Sequence, residues 1–112
     1  MKGKAMKTYS VAGTSQGPDG QVKIRFANDY VGRFKQLIRN GHECVNLIEL
    51  GEQFTKAEVV AALLDHPQFQ SLEDQMAIIE YATRNRKTIQ EDHFAIKAVT
   101  AAQTRVDAME VA

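Results

Sequence analysis

The stretch Asp29–Leu50, DYVGRFKQLIRNGHECVNLIEL, constrains the fold of this chain more than any other. Tyr30, Phe34, Leu37 and Ile38 fall at i, i+4, i+7 and i+8, one face of a 3.6-residue period, so the spacing predicts an amphipathic helix. Asn40-Gly41 follows, and glycine accepts the left-handed conformation in which many helices end. Val45, Leu47, Ile48 and Leu50 then crowd into a strand with little room for a solvated face. Such a strand is expected to be covered on both sides or paired on both edges.

The residues before this stretch read as a hairpin. Thr8 to Ala12 is a short strand candidate with Tyr9 and Val11 on one face. Gly13 to Gly20, GTSQGPDG, carries three glycines and a Pro-Asp-Gly turn signal, which predicts a loose eight-residue tip. From Gln21 to Ala27 the chain alternates, with Val22, Ile24 and Phe26 inward and Lys23 and Arg25 outward. Asn28 or Asp29 is placed to cap the helix that follows.

After the apolar strand, helix starts are marked by their caps. Thr55 and Glu58 form a capping box, with Phe54 and Val59 placed as a hydrophobic staple. The second helix carries Val59, Val60, Leu63 and Leu64, and it must stop by His66 because Pro67 disfavours helix in the residue before it. Ser71 with Asp74 opens a third helix whose stripe is Leu72, Met76, Ile79 and Ala82. Thr88 with Glu91 reads as a further capping box, opening a fourth helix through Ile89, Ile96, Val99 and Val106. Its second half is rich in alanine and thinly apolar, so residues 103–112 are expected to fray or to need a partner.

The fold class is therefore α+β: a small sheet of about three strands in β-β-α-β order, followed by two or three packed helices. A helical crossover requires the third strand to run parallel to the second and to pack right-handed, on either side of the hairpin. At 112 residues the chain has the length of one domain, with residues 1–6 expected to be disordered. Lys plus Arg equals Asp plus Glu, 14 against 14, so no long-range field calls for a polyanion. A single cysteine excludes an internal disulfide. The basic start MKGKAMK imitates a signal peptide, but the continuation TYSVAGTSQGPDG lacks the apolar run one requires. Neither does any stretch reach the roughly 20 apolar residues of a membrane span, so a cytoplasmic protein is expected.

Three kinds of chemistry are worth weighing. Cys44 and His42 are two apart in a strand and point to one face, the minimum for a thiolate enzyme. Neighbours at i, i+2 project in parallel, however, and a lone cysteine in an apolar strand is more often a small buried hydrophobe. The three histidines, His42, His66 and His93, show no ligand spacing, and no HExxH, CxxC or EF-hand pattern occurs, so no metal or cofactor is expected. His93 falls beside Ile89 and Ile96, where a satisfied core histidine is expected. Arg25, Arg33, Arg39, Arg84, Arg86 and Lys87 would bind nucleic acid or another anion if they shared a face. Zero net charge and the lack of stacking aromatics among them argue against that.

The favoured reading is an interaction or regulatory module that presents a protein-binding surface, as a homodimer or with a protein partner. A third strand as apolar as Val45–Leu50 needs its edge covered, and two-fold pairing is the commonest closure. Ile96, Val99, Val106 and Met109 are the expected interface.

Overall fold

Two strands, a crossover helix and a third strand leave one strand of the sheet in the middle, and here it is the first. In the computed structural model, β1 (Tyr9–Gln16) pairs antiparallel with β2 (Val22–Ala27) on one side and with β3 (Glu43–Phe54) on the other. β2 and β3 thus run in the same direction, as the crossover helix α1 (Tyr30–Arg39) requires. The structure describes residues 7–28 and 30–111, with backbone alone at 30, 31, 33, 44, 45 and 111. The expected disorder of residues 1–6, the cap at Asp29 and the side chains of Tyr30, Arg33, Cys44 and Val45 lie outside that description.

α1 ends as its glycine predicts. Gly41, at φ +85°, donates to the Ile38 carbonyl at 3.1 Å, and His42 donates to the Leu37 carbonyl at 3.0 Å. These are the two bonds of a Schellman stop. Phe34 and Leu37 are buried under the sheet with Val11, Ala27 and Leu47. Ile38 departs from the expected stripe and is 59% exposed.

The opposite sheet face carries Ala12, Phe26 and Ile48 in one row and Thr14, Ile24 and Asn46 in the next. It packs against α2 (Lys56–Asp65) and α3 (Leu72–Arg84), and α5 (His93–Val111) packs against those two helices. Tyr9 belongs to this layer and not with Val11, contrary to the alternation expected for a regular strand. The reason is a bulge: Tyr9 pairs with Phe54 and Val11 with Glu49, with Gly51 at φ +82° inside the extra length of β3. Tyr9 then joins Phe26 and Tyr81 in an aromatic run, ring centroids 5.2 and 5.1 Å apart. Burial, reinforced by Tyr9, raises the Tyr81 phenol above its ordinary pKa, while Arg84 works the other way.

The hairpin tip is shorter than its composition suggests. Residues 13–16 belong to β1, and the turn is closed by Gly17 donating to the Gln21 carbonyl at 2.9 Å. Gly13 sits in the strand because a Cβ there would run into the Asn46 carbonyl and, at 2.6 Å, the Leu47 side chain. Small residues that look like loop are what a strand between two layers needs.

In the helical layer the Thr55 box forms both of its bonds, Glu58 N–H to Thr55 Oγ1 at 3.3 Å and Thr55 N–H to Glu58 Oε1 at 2.8 Å. α2 stops at His66 in extended conformation, and Pro67–Phe69 form a 3₁₀ turn. Leu63, Leu64, Phe69 and Ile78 are fully buried, and each contributes about 1.5–3 kcal/mol by leaving water. Gln75 is buried among them, donating to the Leu64 and Phe69 carbonyls at 3.2 and 2.7 Å and accepting from Arg105 at 3.2 Å.

The last segment differs from expectation. A short helix α4 (Arg86–Gln90) ends before Glu91, so Thr88 and Glu91 do not open the long helix. Asp92 does: its carboxylate accepts the Ala95 N–H at 3.0 Å. His93 is exposed, one position away from the stripe it was expected to join. Replacing Asp92 by alanine should therefore cost about 0.5–2 kcal/mol in urea unfolding. Thr88→Ala should stay within about 0.5 kcal/mol. The reverse order would restore the start at Thr88.

Candidate protein-binding groove

α5 buries Ala95, Ala98, Ala102 and Val106 against its own chain, a stripe of small residues that lets it lie close to α2 and α3. The thinly apolar helix thus completes a core, and this decides the fate of its other apolar residues. Val106 is 2% exposed and is core, whereas Ile96 at 37% and Met109 at 39% remain at the surface and Val99 is half-buried. The four residues expected to form one interface are divided between the interior and the surface.

α3 and α5 run side by side in opposite senses: Glu73–Glu80 share one cavity with Gln103–Glu110, and Ala82 and Thr83 share a second with Ile96–Thr100. One, about 460 Å³, has Val22, Met76, Ala77, Ile79 and Val106 as its apolar wall. The other, about 390 Å³, is lined by Ala82, Ile89, Ile96 and Val99 with Arg86. The α5 residues involved are Ile96, Val99, Thr100, Gln103, Val106 and Glu110, which recur on one helical face. The two cavities thus follow one another along the groove between α3 and α5. Met76, placed in the core by periodicity, is 48% exposed at its edge.

The larger cavity has a negative rim. Glu73, Glu80 and Glu110 line it, and among the described residues no Lys or Arg does. Glu80 meets Arg84 at 3.6 Å, but both side chains are largely exposed, so the pair neutralises little and contributes at most about 1 kcal/mol. The sequence carried a signal for this site that periodicity alone misread: Glu73, Met76 and Glu80 share one face of α3 by spacing.

No family model matches this chain, and neither a curated protein nor a solved structure is similar to it. Its function must therefore be read from its own surfaces.

Among the described residues, the basic candidates divide between the two sides of the sheet. Arg25 lies on the sheet face that α1 covers, donating from Nε to the buried Ser15 hydroxyl at 2.9 Å. Arg39 ends α1, while Arg84 ends α3 on the opposite face, next to Arg86 and Lys87 of α4. Arg33 and Cys44 have side chains outside the described residues. His42 meets Lys23 and Arg25 at the hairpin tip. Among the described residues, no cluster of three His, Cys, Asp or Glu could hold a metal ion, and no helix is long and apolar enough to cross a membrane.

One polar cluster fixes the geometry around the groove. Asp74 does not close a capping box on Ser71; Ser71 Oγ accepts the Asp74 N–H at 3.2 Å, but the carboxylate turns to the sheet. It accepts from Thr14 Oγ1 and from Asn46 Nδ2, each at 2.8 Å. Asn46 in turn bonds Gln68 through its Oδ1 at 2.6 Å and the Gln68 carbonyl at 2.7 Å. The start of α3, and with it one wall of the groove, is tied to β1 and β3.

Aspartate substitutions separate core from surface. Val106→Asp buries an unpaired carboxylate and should cost several kcal/mol, roughly the upper range for point changes. Ile96→Asp should change stability by less than about 1 kcal/mol in thermal unfolding. Equal tolerance of both would place Val106 at the surface after all.

Proposed function

We propose that this protein is a small binding module whose α3/α5 groove receives a cationic amphipathic helix of a partner protein. The observation that carries this reading is the combination of an exposed Met76, over an apolar floor formed by the buried Ile79 and Val106, with a rim of Glu73, Glu80 and Glu110. Methionine is unbranched and polarizable, so it adapts to different apolar partners. Helices that bind in grooves present anchors at i, i+3, i+4 and i+7, and the groove runs from Ile96 to Glu110, fourteen steps along α5. At 1.5 Å per residue that is roughly 21 Å, enough for about four turns of a partner helix. The carboxylates steer basic partners and repel acidic ones. A single cysteine fits a reducing compartment, so a cytoplasmic setting belongs to this reading.

The scattered basic residues support nucleic-acid binding less well, because Arg25 and Arg84 stand on opposite sheet faces. The homodimer is the second reading, and the position of β3 favours it. This twelve-residue strand is at the sheet margin, paired only with β1 among the described residues. Glu43, Glu49 and Glu52 along it oppose pairing with a second copy, since charge on an edge is a common guard against association.

The test uses two synthetic fourteen-residue amphipathic helices with the same leucine face, one with lysine and one with glutamate on the polar face. Fluorescence anisotropy should show binding of the lysine peptide, weakened by salt, and none of the glutamate peptide. Reversing the rim with Glu73→Lys, Glu80→Lys and Glu110→Lys should exchange the two preferences. Equal binding of both peptides, or no effect of the reversal, would sink the proposal. Light scattering then separates the second reading: a mass of 12.5 kDa is the monomer, and a stable doubling of it supports the dimer.

A further inference from the structure

The two cavities of the groove differ in the sign of their charge. Glu73, Glu80 and Glu110 line the first, whereas Arg86 is the one charged residue lining the second, with no Asp or Glu there among the described residues. We propose, resting on the function inferred for this groove, that its polarity seats the partner helix in one direction only. The partner is then a charge-segregated helix, basic over the first cavity and carrying a carboxylate that meets Arg86 at the second.

The opposite senses of α3 and α5 keep the two charges apart. Glu73 lies in the first turn of α3 and Glu110 near the end of α5, so both stand at one end of the groove. Arg86 opens α4 just past the end of α3 and shares its cavity with Ile96, Val99 and Thr100, in the first half of α5. Val99 to Glu110 is eleven steps along α5. At 1.5 Å per residue that is about 16 Å, or roughly three turns. A helix of the length that fits the groove therefore reaches both ends with one face.

Arg86 is free to meet an incoming carboxylate. It is exposed, and it makes no hydrogen bond or ion pair among the described residues. The acidic residues that follow it face elsewhere: Glu91 and Asp92 line a cavity at the start of α2 with Lys7 and Thr55, and Asp92 already accepts the Ala95 N–H. Arg84 and Lys87 beside it carry the same sign, and Arg84 meets Glu80 at 3.6 Å, where the acidic end of the groove gives way to the basic one. A guanidinium fork takes a carboxylate through two parallel N–H bonds, so it favours a group of defined position. A partner turned end for end would set its carboxylate among Glu73, Glu80 and Glu110 and its lysines beside Arg86, and like charges select against that seating.

The experiment presents the full chain with two fourteen-residue peptides of identical composition and the same leucine face. In one, the polar face has lysines in its first half and glutamates in its last turn; in the other the same residues alternate. Fluorescence anisotropy should show tighter binding of the segregated peptide. Arg86→Glu should weaken that peptide by roughly twofold to fivefold, the range of an exposed ion pair, and change the alternating one less, with thermal unfolding as the control for its fold. A nitroxide at the lysine end of the segregated peptide should broaden the NMR amides of residues 73–80 and 103–110 and spare those of 96–100. Equal affinity for both peptides, no effect of Arg86→Glu, or broadening at 96–100 would overturn the polarity and leave the groove reading standing. So would binding of the all-lysine peptide without binding of the segregated one. If none of these peptides binds, the groove reading falls and the polarity falls with it.

Discussion

Two buried hydroxyls on the central strand hold this structure in register. β1 is covered on both faces, and Thr14 and Ser15, 2% and 1% exposed, face opposite layers. A hydroxyl buried without a partner costs about 1–3 kcal/mol, so each has to find one inside the protein. Thr14 donates to Asp74 at the start of α3, and Ser15 accepts from Arg25 on β2. The first bond sets the wall of the groove. The second holds the Arg25 side chain against the central strand.

The layers follow from the size of the β1 side chains. Ala12, Gly13, Thr14 and Ser15 are small, so α1 on one side and α2 and α3 on the other can both approach the sheet. The same economy of volume recurs in α5, whose buried stripe is Ala95, Ala98 and Ala102. Close approach leaves the larger residues at the margins. Met76 and Ile96 stand there, at the seam of α3 and α5, and Met109 is exposed near the end of α5.

What the sequence disclosed depended on whether a signal was local. Gly41, Thr55 with Glu58, and the Pro67 stop act through neighbours a few residues away, and all three were legible. Residues 13–16 were not, because glycine, threonine and serine have turn chemistry by themselves and strand chemistry only between two packed layers. Thr88 and Glu91 satisfied the box pattern, yet Asp92 supplies the cap once α4 has turned the chain. Asp74 was assigned to a cap and turned instead to Thr14, sixty residues away, a choice that no local rule contains. The sites show the same division. His42 and Arg25 were named as separate candidates, and only the fold brings them to one pocket with Lys23. The α5 residues were read as one interface, although Val106 faces inward and Ile96 outward.

The dependence on the central strand is tested most directly by a double-mutant cycle on Thr14 and Asp74. Thr14→Val, Asp74→Ala and the pair would be compared in urea unfolding. The hydroxyl–carboxylate bond across the two layers predicts a coupling energy of about 0.5–3 kcal/mol, with the double mutant less damaged than the sum of the singles. Additive losses would show that Thr14 and Asp74 act independently, and that β1 does not hold α3 in place.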